Sequence, residues 1–325
     1  MQEVLTQSAL SQIKAGAPYN GIALIKDYNV ALTKNGKEYI QGKIQSGVAV
    51  PFKAWGNSKA FSELKTKDYT NVPVYIISSG DDFGGVSSLI VDTVVAVEGF
   101  TSDQFLPVKY NIDGFFKALV NLLKSGVVSD KCWDLMEKTF FSNTEIIERF
   151  KLEFAATSHH DNCKGGLLAH TYKVVSLMQH SLGFYSMLVK CKNENGDYMT
   201  NQDMIDLMYY SALMHDVGKI WEMNFGVYQP NTQVVTHRYM IIEYMQQFRE
   251  EIISIYDEAW WYEFVSAMLQ HHGEFADPPR SLVALILHKV DCFDSDLTLI
   301  SQCLESTISD VSGEKFKYDG KYYTV

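Results

Sequence analysis

A histidine, an aspartate and a lysine in one short stretch are the residues of this chain best suited to chemistry on a phosphate. His215 and Asp216 are adjacent at the end of an apolar helical run, and Gly218 and Lys219 follow. Neighbouring helix positions point about 100° apart, so both side chains can hold one cation only over the edge of the helix. Imidazole and carboxylate together suit a borderline divalent metal. Gly218 would end the helix and allow a close approach, and Lys219 would offer a cation to a phosphate.

The nine histidines are concentrated in one part of the chain. None precedes residue 159, and the set is His159, His160, His170, His180, His215, His237, His271, His272 and His288. Ordinary core histidines would be dispersed, whereas metal binding or acid–base chemistry would bring them together. We therefore expect the segments that carry them to fold around one site.

The candidate ligands lie on predicted helices or at their ends. His170 follows a glycine pair in the first turns of a helix, His237 begins another, and His271 and His272 end a third. Asp291 lies in an apolar helical run. An unpaired carboxylate there would be costly to bury, so we expect it to have a cation partner.

Length and composition are those of an ordinary globular protein. The 325 residues are 46% hydrophobic and 21% charged, enough for two domains and a sizeable core. No apolar run approaches the roughly 20 residues that span a membrane, and the N-terminus lacks signal-peptide features. Five scattered cysteines without a Cys-x-x-Cys pair argue against a disulfide framework or a thiolate zinc site. These features predict a cytoplasmic protein without membrane contact, and they leave a homo-oligomer open.

The net charge of −11 is unevenly distributed along the chain. Residues 1–110 contain ten basic and ten acidic residues, so the whole excess of acidic residues lies in residues 111–325. A solvated acidic surface explains most of this excess, and bound metal would offset part of it. Nucleic-acid binding is therefore easier to reconcile with the neutral N-terminal part.

Residues 19–106 are predicted to form a small β-barrel, preceded by a polar lead-in over residues 1–18. Five strand-like segments with turn signals between them cover 21–33, 38–45, 48–55, 72–77 and 88–97. Asn35-Gly36, between the first two, is a strong hairpin signal. Five short strands in such a span indicate a small barrel.

The rest of the chain is predicted to be helical. Residues 107–150 would be a helical connector with Asp113 capping its first helix, 151–303 a bundle that carries the histidines, and 304–325 a tail without an assigned role. No segment after about residue 110 has a clear strand pattern. The predicted fold class is α+β multidomain, with an N-terminal β-barrel followed by an all-α bundle.

Residues 33–56 resemble the first three strands of an OB-fold nucleic-acid-binding domain. Alternation along the second strand places Tyr39 and Gln41 on one face and Ile40 on the other. The resemblance implies that aromatic rings stack on bases while lysines follow the phosphates. The residues concerned are Tyr39, Phe52, Trp55, Lys34, Lys37, Lys43 and Lys53. The alternative is that the rings are barrel core and the lysines only solubilise the rim.

The helical part is similar to the HD-domain metal-dependent phosphohydrolase superfamily, because His170, the His215-Asp216 pair and Asp291 occur in that order on helices. With segments 165–171, 215–219, 271–273 and 287–291 behind an OB-like domain, the chain most resembles the YhaM-type 3′-5′ exoribonucleases. This resemblance covers residues 19 to about 300.

The resemblance implies a centre of one or two divalent ions. The first ion would be held by His170, His215, Asp216 and Asp291. The second would be held by His237 and His271, with Asp216 bridging and His272 as the alternative to His271. Lys219 would steady the scissile phosphate, and His159 or His160 would protonate the leaving oxygen. Nitrogen and oxygen ligands admit Mn²⁺, which we favour, as well as Fe²⁺, Co²⁺, Ni²⁺ or Zn²⁺.

Three further polar residues are expected to support the site or to lie on the surface. His180 is predicted on a helix surface. His288 is predicted to support or pack beside the ligands, and Asp294 is either a supporting carboxylate or a surface charge.

The function expected from these residues is a metal-dependent phosphodiesterase, with Asp216 central to catalysis. Its leading form is a 3′-5′ exonuclease on single-stranded RNA, with DNA as the other polymer. One alternative is a phosphohydrolase of nucleotides, such as dNTPs or cyclic oligonucleotides; another is a non-catalytic nucleic-acid-binding protein. The barrel favours a polymeric substrate. The complete ligand set argues against a non-enzymatic role, because buried His and Asp clusters are costly without metal.

Overall fold

A computed structural model describes the chain in nine stretches. They are residues 3–83, 86–157, 161–192, 194–230, 232, 234–273, 277–305, 308–310 and 313–324. The chain divides into two compact units, Met1–Val108 and Lys109–Val325. The division falls close to the end of the barrel predicted from the sequence.

The first unit is a closed barrel of five strands, as predicted. The strands are β1 (Gly21–Leu32), β2 (Glu38–Ser46), β3 (Val48–Trp55), β4 (Val72–Phe83) and β5 (Val86–Ala96). Their order around the barrel is β1-β2-β3-β5-β4, and the β3–β5 pair is parallel while the others are antiparallel. Helix α1 (Gln7–Ser11) precedes β1, and α2 (Lys59–Thr66) connects β3 to β4.

The direction of each aromatic side chain shows whether it belongs to the barrel core or could stack on a base. Phe52 is 1% exposed and alternates with buried Val50 and Ala54 along β3, so its prediction as a base-stacking platform is wrong. A side chain directed into the barrel is part of the core and is inaccessible to bases. Tyr39 and Trp55 are cross-strand partners on the outer face, with ring centroids 5.3 Å apart.

The second unit is built from helices. They are α3 (Ile112–Leu122), α4 (Asp130–Met136), α5 (Thr144–Leu152), α6 (Gly166–Phe184), α7 (Gln202–Met214), α8 (Lys219–Glu222), α9 (His237–Met245), α10 (Arg249–Ile255), α11 (Glu258–Gln270) and α12 (Leu282–Leu304). Asn111 caps α3, because its side chain accepts a hydrogen bond from the Gly114 backbone N–H. The expectation that Asp113 caps this helix is therefore wrong.

The expectation that no strand follows residue 110 is also wrong. Two hairpins and one three-stranded sheet accompany the helices: β6 (Lys190–Lys192) with β7 (Tyr198–Thr200), β8 (Met223–Asn224) with β9 (Val227–Tyr228), and β10 (Ile308–Asp310) with β11 (Gly313–Tyr318) and β12 (Lys321–Thr324). These strands have two to six residues, which is too short for a period of two to stand out. The tail therefore has a sheet structure of its own.

The site is positioned by helices that are buried over whole turns. All residues from Gly166 to Thr171 in α6 and from Asp206 to Met214 in α7 are buried. Helices that are buried on every side lie in the interior of a unit rather than on its surface. His170 and the segment that follows α7 are thereby carried into the core. Among the described residues, no helix has both the length and the apolar character required to cross a bilayer.

Candidate metal centre

Four of the predicted ligands meet at the centre of the helical unit. His170 Nε2 lies 3.2 Å from His215 Nε2 and 3.1 Å from Asp291 Oδ1. Asp216 Oδ2 lies 3.5 Å from the Nε2 atom of either histidine. Two ligands at right angles around an ion at about 2.1 Å are about 3.0 Å apart, and opposite ligands about 4.2 Å. The atoms of His170, His215 and Asp216 are therefore spaced to hold one divalent ion, and Asp291 lies beside the two histidines.

A second cluster adjoins the first and shares Asp216 with it. His237 Nε2 lies 3.4 Å and His271 Nε2 3.8 Å from Asp216 Oδ1, whereas the first cluster faces Oδ2. His272 Nε2 lies 3.1 Å from His237 Nε2. One ligand atom from each of these four residues falls within 4.8 Å of the others. The structure therefore brings both His271 and His272 to the site, and Asp216 has the geometry of a bridge.

Two buried atoms without hydrogen-bond partners are a separate indication that these residues bind a metal ion. Asp216 Oδ1 and His271 Nε2 are buried and make no hydrogen bond within the described part of the chain. Leaving a buried polar group without a partner costs about 1–3 kcal/mol, and more when the group is charged. A cation between the two atoms would satisfy both, so these residues fit a metal ion.

Four of the ligand imidazoles are held by a contact at their Nδ1 atoms. His215 Nδ1 lies 2.9 Å from Ala212 O, and His271 Nδ1 lies 2.9 Å from Met268 O. Since a carbonyl only accepts, each Nδ1 must donate, and Nε2 presents a lone pair to the cluster. The ring orientation that a metal requires is thus set by the backbone.

Carboxylates hold the other two imidazoles. His170 Nδ1 lies 2.7 Å from Asp294 Oδ2, and His237 Nδ1 lies 2.9 Å from Glu222 Oε2. Asp294 is therefore a supporting carboxylate, one of the two roles considered for it. Glu222 was not identified from the sequence, although a carboxylate flanked by apolar Trp221 and Met223 is a signal that could have indicated it.

The remaining histidines lie outside the ligand set. His288 Nδ1 donates to the backbone oxygen of His271 at 2.7 Å, so it braces that segment. His180 is exposed on α6 and contacts the backbone oxygen of Ser176. His159 and His160 lie outside the described residues.

Burial controls the protonation of the imidazoles. It lowers the pKa of His215 to about 4 and that of His272 to about 2, so both imidazoles are uncharged at neutral pH and can bind a metal ion. Burial also disfavours the charged form of His170, but the hydrogen bonds that its ring donates to Asp291 and Asp294 outweigh burial and raise the pKa of His170 to about 10. Burial opposes ionisation of Asp216, yet Lys219 and His215 keep its pKa well below the usual range.

Uptake of metal by the first cluster is expected to release a proton. Without metal, His170 is protonated below about pH 10, and an imidazolium cannot bind an ion. Affinity should therefore rise about tenfold per pH unit between pH 6.5 and 9 as the competing proton is lost. Calorimetric titration with Mn²⁺ in buffers of different ionisation enthalpy should report about one proton released per ion. His170→Ala is the control, and wild-type uptake without proton release would contradict the expectation.

Lys219 lies directly beside the first cluster. Its Nζ donates to Asp216 Oδ2 at 2.6 Å and to Ala155 O at 2.7 Å. Lys219 also lines a cleft of about 850 Å³, together with Asp216, His237, His272 and Asp291. A group bound in this cleft would contact both ligand clusters and the ammonium group.

Gly218 allows the segment that carries His215 and Asp216 to lie against the start of α9, which carries His237. A Cβ atom at this position would lie 2.0 Å from the backbone oxygen of His237. The sequence indicated that this glycine allows a close approach, and the structure identifies the approaching group as the first residue of α9. Helix α7 itself ends earlier, at Met214.

The other candidate site residues lie on the barrel. Tyr39 and Trp55 form a tilted pair, and Trp55 borders a groove with Lys37. Lys34, Lys37 and Lys43 are exposed and Lys53 is half-buried. With Phe52 excluded, two aromatic rings and four lysines of the predicted set remain available to a ligand.

Comparison with known proteins agrees with this arrangement. The family model described as HD domain matches residues 177–296. The matched residues lie within the helical unit, which is therefore similar to HD domains. The match begins after His170, but it includes the other ligands of both clusters.

Several curated relatives carry the name 3′-5′ exoribonuclease YhaM. The protein of Bacillus subtilis (strain 168) is 22% identical over 310 residues, covering 90% of this chain and 89% of the relative. Those of Listeria innocua serovar 6a and Listeria welshimeri serovar 6b are 26% and 27% identical, each over 50% of either chain. The chain thus spans about half the length of these Listeria relatives. No solved structure matches the chain significantly.

Proposed function

We propose that this protein is a metal-dependent phosphodiesterase that removes nucleotides from the 3′ end of single-stranded RNA. The observation that carries the proposal is the position of Asp216, whose two oxygens face two adjoining ligand clusters at one cleft. Two-ion centres of this kind serve phosphoester hydrolysis, because they act on both the attacking and the leaving oxygen.

The roles of the residues follow from their placement. The first cluster and the second cluster would each hold one divalent ion, which supplies Lewis acidity and a nucleophilic water at neutral pH. Lys219 Nζ contributes positive charge to the scissile phosphate bound in the cleft. Asp294 and Glu222 keep His170 and His237 in the orientation that binds metal. Protonation of the leaving oxygen is assigned to His159 or His160 on the sequence resemblance alone, since both lie outside the described residues.

The polymeric substrate and the 3′-5′ direction are inferred from two further observations. The relatives in Bacillus and Listeria are named as 3′-5′ exoribonucleases. The barrel presents Tyr39, Trp55 and four lysines, a combination that suits stacking on bases and contact with phosphates. Single-stranded RNA is therefore the preferred substrate, with single-stranded DNA as the weaker one.

The metal and the compartment belong to the same proposal. Imidazole and carboxylate ligands without thiolates favour Mn²⁺, with Fe²⁺, Co²⁺, Ni²⁺ and Zn²⁺ as alternatives. None of the five cysteines forms a disulfide among the described residues, which suits the reducing cytoplasm.

Hydrolysis of end-labelled oligonucleotides tests the proposal. With Mn²⁺, a 5′-labelled 20-nucleotide RNA should give a ladder that shortens from the 3′ end, and EDTA should stop it. A 3′-phosphorylated RNA checks the need for a free 3′ end. Activity on dNTPs or cyclic oligonucleotides with none on the polymer would replace the proposal with the nucleotide phosphohydrolase. Absence of any metal-dependent hydrolysis would favour the binding protein.

A further inference from the structure

We propose that the outer face of the C-terminal sheet β10-β11-β12 binds the single-stranded RNA substrate upstream of its 3′ end. The inference rests on the proposed function, and it assigns a role to a segment that the sequence left without one. Its arguments are the position of the sheet beside the metal cleft, the residues on its outer face, and its local charge.

The sheet is fixed beside the cleft by a contact from β11. Tyr318 OH donates to Asp296 Oδ1 at 3.1 Å, and Asp296 lines the same cleft as Asp216 and Asp291. Asp296 lies on α12, the helix that also carries Asp291. A strand of RNA that leaves the cleft on this side would therefore meet the sheet next.

The register of the hairpin determines which side chains reach solvent. Phe316 pairs with Tyr323, and their rings stack with centroids 5.5 Å apart on the face that carries Tyr318. On the opposite face, Lys317 pairs with Tyr322, and its Nζ lies 5.9 Å from the ring centroid. Tyr322 is 60% exposed. This outer face thus combines an accessible aromatic ring with an adjacent ammonium group.

The charge of the hairpin complements a phosphate backbone. Residues 313–324 contain Lys315, Lys317 and Lys321 against Glu314 and Asp319, and Asp310 of β10 makes the three-stranded sheet neutral, whereas residues 111–325 together carry the whole net charge of −11. In an acidic unit, a neutral sheet next to the cleft that has Lys315, Lys317 and Tyr322 on one face is a favourable path for a polyanion. Rings and lysines together bind single strands with little sequence preference, since every base offers a face for stacking.

The same unit provides a matched control. On hairpin β6–β7, Lys192 Nζ lies 5.2 Å from the ring centroid of Tyr198, which is 58% exposed. Within the described part of the chain, neither residue lines the metal cleft. The variant Lys192→Gln/Tyr198→Ala therefore removes an equivalent exposed pair at another place.

Binding of fluorescein-labelled 20-nucleotide oligouridylate to the full chain, measured by anisotropy with EDTA present, tests the proposal without requiring catalysis. Lys317→Gln/Tyr322→Ala should raise Kd at least about 5-fold, because stacking on one ring contributes about 1–3 kcal/mol. The slope of log Kd against log salt should fall by about 0.7 for the lost lysine. The control variant should bind as the wild type does.

The outcomes separate this proposal from the proposed function. With Mn²⁺, the hairpin variant should hydrolyse a dinucleotide at the wild-type rate while its KM for the 20-nucleotide RNA rises. The proposal would be overturned by an unchanged Kd of the hairpin variant, or by an equal effect of the control variant. It would also be overturned if light scattering showed a change in oligomeric state without loss of RNA affinity, and that result would identify an interface between copies. If wild type lacks nuclease activity but the Kd effect is present, the proposed function fails while the RNA-binding surface stands.

Discussion

Asp216→Ala is expected to abolish hydrolysis, with a loss on the order of 10³-fold or more in the rate on single-stranded RNA. The two oxygens of this carboxylate face different clusters, so one truncation removes a ligand from both. It also leaves Lys219 buried without its 2.6 Å partner. End-point ladders should show intact substrate, and elemental analysis of the purified protein should show loss of metal from both clusters.

Single-cluster variants and a control sharpen this experiment. His170→Ala removes a ligand from the first cluster alone, and His237→Ala from the second alone, so each should lower metal content by about one ion. Asp203→Ala, an exposed aspartate at the start of the same helix α7, should retain both metal and activity. Binding of oligouridylate by Asp216→Ala should persist, because the barrel is unchanged. Retention of full activity by Asp216→Ala would refute the proposed centre.

Gly218→Ala is expected to damage the centre although it changes no ligand. The added methyl group would lie 2.0 Å from the His237 backbone oxygen, so the start of α9 must move away. Overpacking of this kind costs typically 1–3 kcal/mol of folding stability. A shift of about 1 Å in a reacting group can reduce the rate about 10²-fold. We expect that loss in kcat, together with weaker metal binding by the second cluster.

Gly183→Ala is the matched control for this substitution. Gly183 lies in α6, and a Cβ atom there would meet nothing within 4 Å. Because glycine is a poor helix former, the change should stabilise the protein by about 0.5–1 kcal/mol and leave kcat unchanged. Thermal unfolding and steady-state hydrolysis measure both effects. Normal activity in Gly218→Ala would show that the position of His237 does not limit catalysis.

The sequence predicted the centre better than its surroundings. Asp291 was identifiable because a carboxylate in an apolar helical run needs a partner, whereas Asp216 was indicated by its pairing with His215 and His170 by the resemblance. Glu222 acts by holding His237, and no short motif marks such a contact between α8 and α9. Similarly, the choice between His271 and His272 could not be made from adjacent positions.

The strands of the fold were predictable where they are long enough to show a period of two, and they were missed where they are short. Five strands of 8 to 12 residues gave the barrel, but the pairing of β3 with β5 that closes it joins segments that are distant in sequence. Phe52 was assigned to the wrong face because aromatic character alone does not report the direction of a side chain. The sheet β10-β11-β12 was missed because its strands are brief and rich in lysine.

The helix ends described above also influence which ions the centre attracts. His215 and His271 are the residues that directly follow α7 and α11, and each donates from Nδ1 to a carbonyl of the final turn. Aligned peptide dipoles place a partial negative charge, of about half an elementary charge, at the carboxyl end of a helix. Two such ends converge on the shared carboxylate. The backbone itself thus creates a potential that attracts cations, and substitutions that fray either end should weaken ion binding while every ligand remains in the sequence.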